Sequence, residues 1–177
     1  MADKAFQAAK RESPEAACAV VGIRLAALPS GGRQAEKELN DLANSQNAAV
    51  PDKTYAEAAL ARVLLALARP KDARKAAEQA VSWSPHSGDA WLALGLTALR
   101  QKDEAKAREA LQQAVALEPS HGAAQLALGD VLKRGEDADA PGAVAAYEAF
   151  LRIGGPASEE ARVKRALSDL KKKVASR

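Results

Sequence analysis

Apolar residues recur at helical spacing along most of the chain. In the last segment Val163, Ala166, Leu167, Leu170 and Val174 repeat every three to four residues, as on one face of an amphipathic helix. Prolines, glycines and polar clusters interrupt such patterns and predict helix breaks. The expected breaks are near 29–32, 45–53, 68–71, 84–87, 101–103, 118–121, 134–141 and 154–157. The pattern predicts an all-helical chain of about nine helices without strands.

The helical pattern repeats along the chain. Pro85 and Pro119 are 34 residues apart, and so are Val81 and Val115. Aligning 54–87 with 88–121 without gaps gives 11 identities in 34 positions. A fixed period of this length is typical of a repeated helix–turn–helix unit.

The second unit carries the clearest motif. It consists of Ala90, Trp91, Leu94, Gly95, Ala107, Leu111, Ala114, Leu117 and Pro119. These residues and their spacing resemble the tetratricopeptide repeat (TPR), and the resemblance extends from residue 54 to about 156. It implies an all-α fold, a right-handed α-solenoid of antiparallel helix pairs with capping helices.

The repeat predicts how the chain is divided. We expect a flexible N-terminus over 1–12, a degenerate TPR-like helix pair over 13–53, repeats over 54–87, 88–121 and 122–157, and a C-terminal capping helix over 158–177. The turn of the third repeat is two residues longer than the motif allows. Thr54 and Glu57 predict a capping box at the start of the first repeat. Glu57 also replaces the bulky aromatic residue that the family has at this position.

In the TPR family the first helix of each unit lines a concave groove. The resemblance therefore implies these groove residues: Tyr55, Arg62, Leu65, Asp89, Leu92, Leu96, Leu99, Arg100, Leu126, Asp130, Lys133 and Arg134. An apolar middle with a cationic rim suits an amphipathic helix or extended peptide with acidic flanks.

The central leucines of this set form a second apolar face on their helix. Leu92, Leu96 and Leu99 follow one stripe, whereas Trp91 and Leu94 already supply the core face. A helix with two apolar faces must bury both. The second face is covered either by the superhelix itself or by a bound partner.

No residue pattern predicts catalysis, a metal site or a cofactor. Cys18 is the single cysteine, which excludes an intrachain disulfide, and His86 and His121 both fall in turns between repeats. The chain has 26 Lys and Arg against 23 Asp and Glu, so its net charge of +3 does not identify a polyanion binder. We therefore expect a non-catalytic adaptor or scaffold that binds another protein.

Two alternatives to this function stay open. The chain could self-assemble into a homo-oligomer, with the groove or an end accepting a segment of another copy. It could also bind nucleic acid or another polyanion through the basic C-terminal helix, although such a face more often serves solubility.

The expected location is the cytoplasm. The first residues show no apolar stretch ahead of a cleavage site, and no apolar run reaches about 18 residues. A chain whose export signal had been removed would give the same pattern. The alanine- and arginine-rich composition favours a bacterial source.

Overall fold

The computed structural model describes residues 31–46, 48–134 and 138–175. Within those residues every regular element is an α-helix, which confirms the all-α prediction. The eight described helices are α1 (Gly31–Ala43), α2 (Val50–Ala66), α3 (Pro70–Trp83), α4 (Gly88–Arg100), α5 (Glu104–Leu117), α6 (Gly122–Leu132), α7 (Ala140–Ile153) and α8 (Ala157–Ala175). The predicted segments 1–12 and 13–28, including Cys18, lie outside the described residues.

Polar residues at the helix starts explain several of the breaks. The side chain of Ser87 accepts a hydrogen bond from the backbone of Ala90 at the start of α4 (3.3 Å). Asp103 does the same at the start of α5, and Asp139 at the start of α7. Each side chain satisfies a backbone N–H that has no partner within the helix.

The predicted capping box at Thr54 is wrong, because α2 begins one turn earlier, at Val50. Thr54 is buried inside the helix, and its hydroxyl donates to the carbonyl of Val50 (2.9 Å). Lys53 stands where the next repeat has the capping Ser87, and an ammonium group cannot accept a hydrogen bond. Pro51 instead lies in the first turn, where its missing N–H costs nothing.

The first described helix also begins slightly before its predicted start. The break expected over 29–32 placed this start near Arg33, but α1 already includes Gly31 and Gly32. A Cβ on Gly32 would lie 2.7 Å from the Leu67 side chain. The glycine therefore permits a close approach here instead of ending a helix.

The helices pack as an α-solenoid, and each described helix contacts its neighbours in sequence. Among the described helices, contacts with the helix after next join α2 to α4 and α4 to α6. The core is thin and rich in alanine: Ala61, Ala77 and Ala114 are fully buried. Larger side chains such as Leu111 and Tyr147 are fully buried where a glycine faces them. The division into repeat units remains a prediction.

Candidate functional site

The predicted groove leucines differ in their exposure. Leu65 and Leu92 are only 9% and 2% exposed, so they belong to the core and are not open to a partner. This corrects the expectation that they line the groove surface. Leu96 packs against two hydrophobic clusters and Leu99 against one of them, and both are half-buried. The superhelix itself therefore covers much of the second apolar face.

Two other predicted groove residues are also half-buried. Tyr55 packs against the cluster that α1 to α3 build, and Leu126 packs against the cluster around Tyr147 and Phe150. Their partial exposure leaves some apolar surface on the first helices of the repeats. That surface is smaller than the sequence pattern indicates.

Asp89 is paired within the protein. It lies in the first turn of α4, and the ring Nε2 of His121 donates to its carboxylate Oδ1 at 3.1 Å. This hydrogen bond lowers the pKa of Asp89 and raises the pKa of His121, although burial opposes both shifts. Arg62 on α2 is close enough to act electrostatically on both groups.

The sequence pattern predicts His121 only as a turn residue. Because the 34-residue period places the starts of α4 and α6 side by side, it is a sequence signal that could have indicated this pair.

Asp130 is the centre of a network that joins three helices. Its Oδ1 accepts hydrogen bonds from Tyr147 (2.6 Å), Lys133 (2.9 Å) and Arg162 (2.8 Å), and its Oδ2 accepts a second one from Arg162 (3.0 Å). Burial alone would raise the pKa of Asp130, but these hydrogen bonds outweigh it and lower the pKa to about 2. The ammonium group of Lys133 also lies over the Tyr147 ring.

This network corrects three expectations from sequence. Asp130 and Lys133 were predicted to face a partner, and Arg162 to face solvent on the basic side of the last helix. Lys133 and Arg162 instead both bind Asp130, and the pair with Arg162 holds α8 against α6. A contact between α6 and α8 requires knowledge of how the last helix packs, which a local pattern does not contain.

The remaining charged groove residues are arginines. Arg62, Arg100 and Arg134 are exposed, and none of them forms an ion pair or hydrogen bond with a residue that the structure describes. Arg62 lies on α2, Arg100 is the last residue of α4, and Arg134 follows the end of α6 by two residues. Arg69, Arg74 and Arg162, on other surfaces, all pair with carboxylates. Among the described residues, the predicted groove thus combines two carboxylates that have hydrogen-bonded partners with three arginines that form no ion pair or hydrogen bond.

The C-terminal helix carries less free positive charge than its sequence indicates. Besides Arg162, Lys164 pairs with Glu160 at 3.5 Å and Lys171 pairs with Glu148 at 2.7 Å. These pairs compete with any polyanion for the same cations. The structure therefore gives the nucleic-acid alternative no support.

The part of the chain that the structure describes contains neither a metal-ligand cluster nor a membrane-spanning helix. Among the described residues, no three His, Cys, Asp or Glu side chains are grouped as a metal site would require. None of the described helices is long and apolar enough to cross a membrane.

The fold and the thin, glycine-dependent helix contacts define a helical-repeat protein. The tetratricopeptide repeat profile matches residues 58–116 and 105–158, which together span more than half of the chain. The chain therefore belongs to the tetratricopeptide repeat family, as its motif predicts. Proteins of this family typically mediate protein–protein interactions and are generally non-catalytic.

Solved structures agree with this assignment. A crystal structure of MamA superposes with a TM-score of 0.57 at 19% identity, covering 84% of this chain and 93% of that chain. MamA MSR-1 gives 0.56 at 16% identity, covering 98% and 84%. MamA from Desulfovibrio magneticus RS-1 gives 0.50 at 24% identity, covering 93% and 94%. At these identities the likeness concerns the fold. A search of curated proteins found no match.

Proposed function

We propose that the chain is a non-catalytic adaptor that binds an acidic-flanked helix or peptide along the first helices of its repeats, α2, α4 and α6. The observation that carries this proposal is the imbalance of charge on these helices. Asp89 and Asp130 pair with His121 and Arg162, whereas the three exposed arginines form no ion pair with a residue that the structure describes. A partner with carboxylates at matching spacing would form ion pairs with these guanidinium groups.

Apolar anchoring supplies the other half of the interaction. Leu96 and Leu99 are half-buried, and each leaves part of its side chain exposed on α4. A helical partner could place small apolar residues on this surface while its acidic flanks reach the arginines. Added salt screens the ion pairs to the exposed arginines, so the affinity should decrease with ionic strength.

The test uses charge reversal on the groove helices. A triple variant, Arg62→Glu, Arg100→Glu and Arg134→Glu, removes the proposed cations without touching the core. The matched control reverses Arg33, Arg152 and Arg165, which are likewise exposed and without an ion pair to a described residue. Both variants change the net charge by the same amount, so they separate local from overall electrostatics.

The measurement is quantitative capture of partners from a lysate of the cells that make the protein, together with circular dichroism. We expect partners retained by the wild type and the control to be lost from the groove variant. Equal retention by all three proteins would contradict the proposal. Light scattering during the same purification distinguishes self-assembly, because a homo-oligomer would form without any lysate component.

Leu96 is a poorer probe of this surface than its position in the motif indicates. Its side chain packs against two hydrophobic clusters, so Leu96→Glu would bury a carboxylate in apolar surroundings. We expect that variant to unfold, and loss of binding would then carry no information about the groove.

A further inference from the structure

Two clefts of equivalent position lie one repeat apart. The first, of about 330 Å³, opens between α1, α2 and α3, and the second, of about 240 Å³, opens between α3, α4 and α5. Seven pairs of lining residues stand 34 positions apart, among them Glu57 and Trp91, Leu60 and Leu94, and Ala76 and Ala110. The first cleft is thus the larger one, and it has a carboxylate where the second has an indole.

The residue at this position has a defined partner in the two later repeats. Trp91 donates its indole N–H to the carbonyl of Pro85 at 2.8 Å, and Gln125 donates its amide to the carbonyl of Pro119 at 3.0 Å. Glu57 has no hydrogen to donate when it is ionised. Its carboxylate forms neither a hydrogen bond nor an ion pair with any described residue.

The surroundings of Glu57 do not neutralise it. Burial raises the pKa of Glu57 to about 6, which reflects the cost of a charge held partly away from water. Arg69 lines the same cleft, but it is already paired with Glu36 at 2.7 Å and Asp72 at 2.8 Å. Lys75 stands exposed on the rim without a carboxylate partner among the described residues.

We propose that this cleft, which we call the Glu57 cleft, binds the guanidinium group of an arginine side chain from another protein. Leu60, Leu64 and Ala76 line the cleft, and although they are only 4%, 4% and 6% exposed, their apolar atoms border the space that the three-carbon stem would occupy. The Glu57 carboxylate can accept two parallel N–H bonds from the planar guanidinium. Asn40 and Gln79 line the same cleft, and their side-chain oxygens can accept hydrogen bonds from its remaining hydrogens.

The geometry favours arginine over lysine and separates this site from the groove. An ammonium group is a compact point charge and cannot make the paired bonds to one carboxylate.

Glu57 and Arg62 are five residues apart on α2, which places them about 140° apart around the helix. The Glu57 cleft therefore does not depend on the proposed groove function and can be tested independently of it.

The experiment is an NMR titration of the full chain with N-acetyl-arginine amide. We expect saturable amide shifts in α1, α2 and α3. N-acetyl-citrulline amide, an uncharged analogue of the same shape, should bind at least roughly tenfold more weakly, because it lacks the charge that strengthens the hydrogen bonds. Binding should strengthen as the pH rises through 6, where Glu57 becomes ionised.

Two variants and one direct measurement decide the outcome. Glu57→Gln keeps the size of the side chain and should lose the arginine response, whereas Glu109→Gln in the neighbouring cleft should retain it. Equal responses of the two variants, or equal binding of the citrulline analogue, would overturn the proposal. A carbon-13 titration of the Glu57 carboxyl that gives a pKa below its ordinary value would also overturn it, because Lys75 would then already supply the counter-ion.

Discussion

Glycines decide how closely paired helices approach. A Cβ on Gly95 would lie 2.7 Å from Leu111, and one on Gly129 would lie 2.6 Å from the Tyr147 ring. The two glycines are 34 residues apart, whereas their partners are 36 apart, because the turn before α7 is longer. The same close contact is thus kept although the connecting turn changes.

Gly95→Leu tests this contact. The added side chain has no space beside Leu111, which is fully buried, so we expect a loss of about 1–3 kcal/mol or more in unfolding free energy. Urea unfolding followed by circular dichroism measures it. Combining the change with Leu111→Ala should recover part of the loss relative to the sum of the two single variants. An unchanged melt for Gly95→Leu would show that α4 and α5 are not in close contact here.

Glu57 should make stability depend on pH. Its folded-state pKa of about 6 is above the ordinary value of 4.5, so the folded chain holds this proton more tightly than the unfolded chain. Its favourable contribution is therefore complete below pH 4.5 and is lost as the pH rises through 6.

The comparison of wild type with Glu57→Gln isolates this effect, because all other titrating groups cancel. Between pH 4.5 and 7.5 we expect the wild type to lose on the order of 1 kcal/mol relative to the variant, after allowing for solvent screening at a half-exposed group. Chemical unfolding at both pH values gives the difference. A difference that does not change with pH would mean that the pKa of Glu57 is the same in the folded and unfolded chains.

Helix positions could be predicted from the sequence wherever the local signals agreed. The breaks expected near 84–87 and 101–103 agree with the ends of α4 at Gly88 and Arg100, and Pro85 lies in the first of them. At α2 the signals conflict: Thr54 resembles a cap, but Pro51 also begins a helix. The structure follows the proline, since Thr54 instead bonds back to Val50.

The attachment of α8 could not be predicted in the same way. Asp130 and Arg162 are 32 residues apart, and their contact depends on the angle at which α8 returns over α7. Arg162 belongs by its spacing to a solvated basic face. Only the packed structure shows that it makes two hydrogen bonds to a half-buried carboxylate.

Asp130→Asn should loosen α8 without unfolding the array. The change removes the charge that holds Arg162 and Lys133, so we expect a loss of roughly 1–3 kcal/mol, in the range for hydrogen bonds to charged groups. Amide hydrogen exchange should speed up in α8 first. Glu78→Gln, which affects an exposed ion pair with Arg74 on α3, is the control and should leave exchange in α8 unchanged.

The same residue gives an acid-pH signature. The pKa of Asp130 is lowered from 3.8 to about 2, so its contribution to stability is complete above pH 3.8 and is lost as the pH falls through 2. The asparagine variant should lack this part of the acid dependence. An identical acid profile in both proteins would show that the network contributes nothing to folding.

The whole molecule is a chain of nearest-neighbour contacts. The described contacts join each helix to those close to it in sequence, and α1 has no contact with α4 or any later helix. The resemblance to a repeat family predicted this arrangement and the positions of the exposed arginines. It could not predict that Leu65 and Leu92 are buried, because coverage of a first helix depends on the neighbouring units and not on its own pattern.

Removal of residues 157–177 should therefore destabilise only one end. Val163 and Leu167 of α8 pack in one cluster with Tyr147 and Phe150 of α7, which are 0% and 3% exposed. Without α8 those aromatic residues become exposed to water, while α2, α3 and α4 keep all their neighbours.

In a solenoid whose stability is a sum of local and nearest-neighbour terms, the loss of stability should decay along the chain. Hydrogen exchange of the truncated protein should thus be faster in α6 and α7 and nearly unchanged in α2 to α4. A uniform increase across all helices would show instead that the array unfolds as one cooperative unit, and that α8 stabilises helices it does not touch.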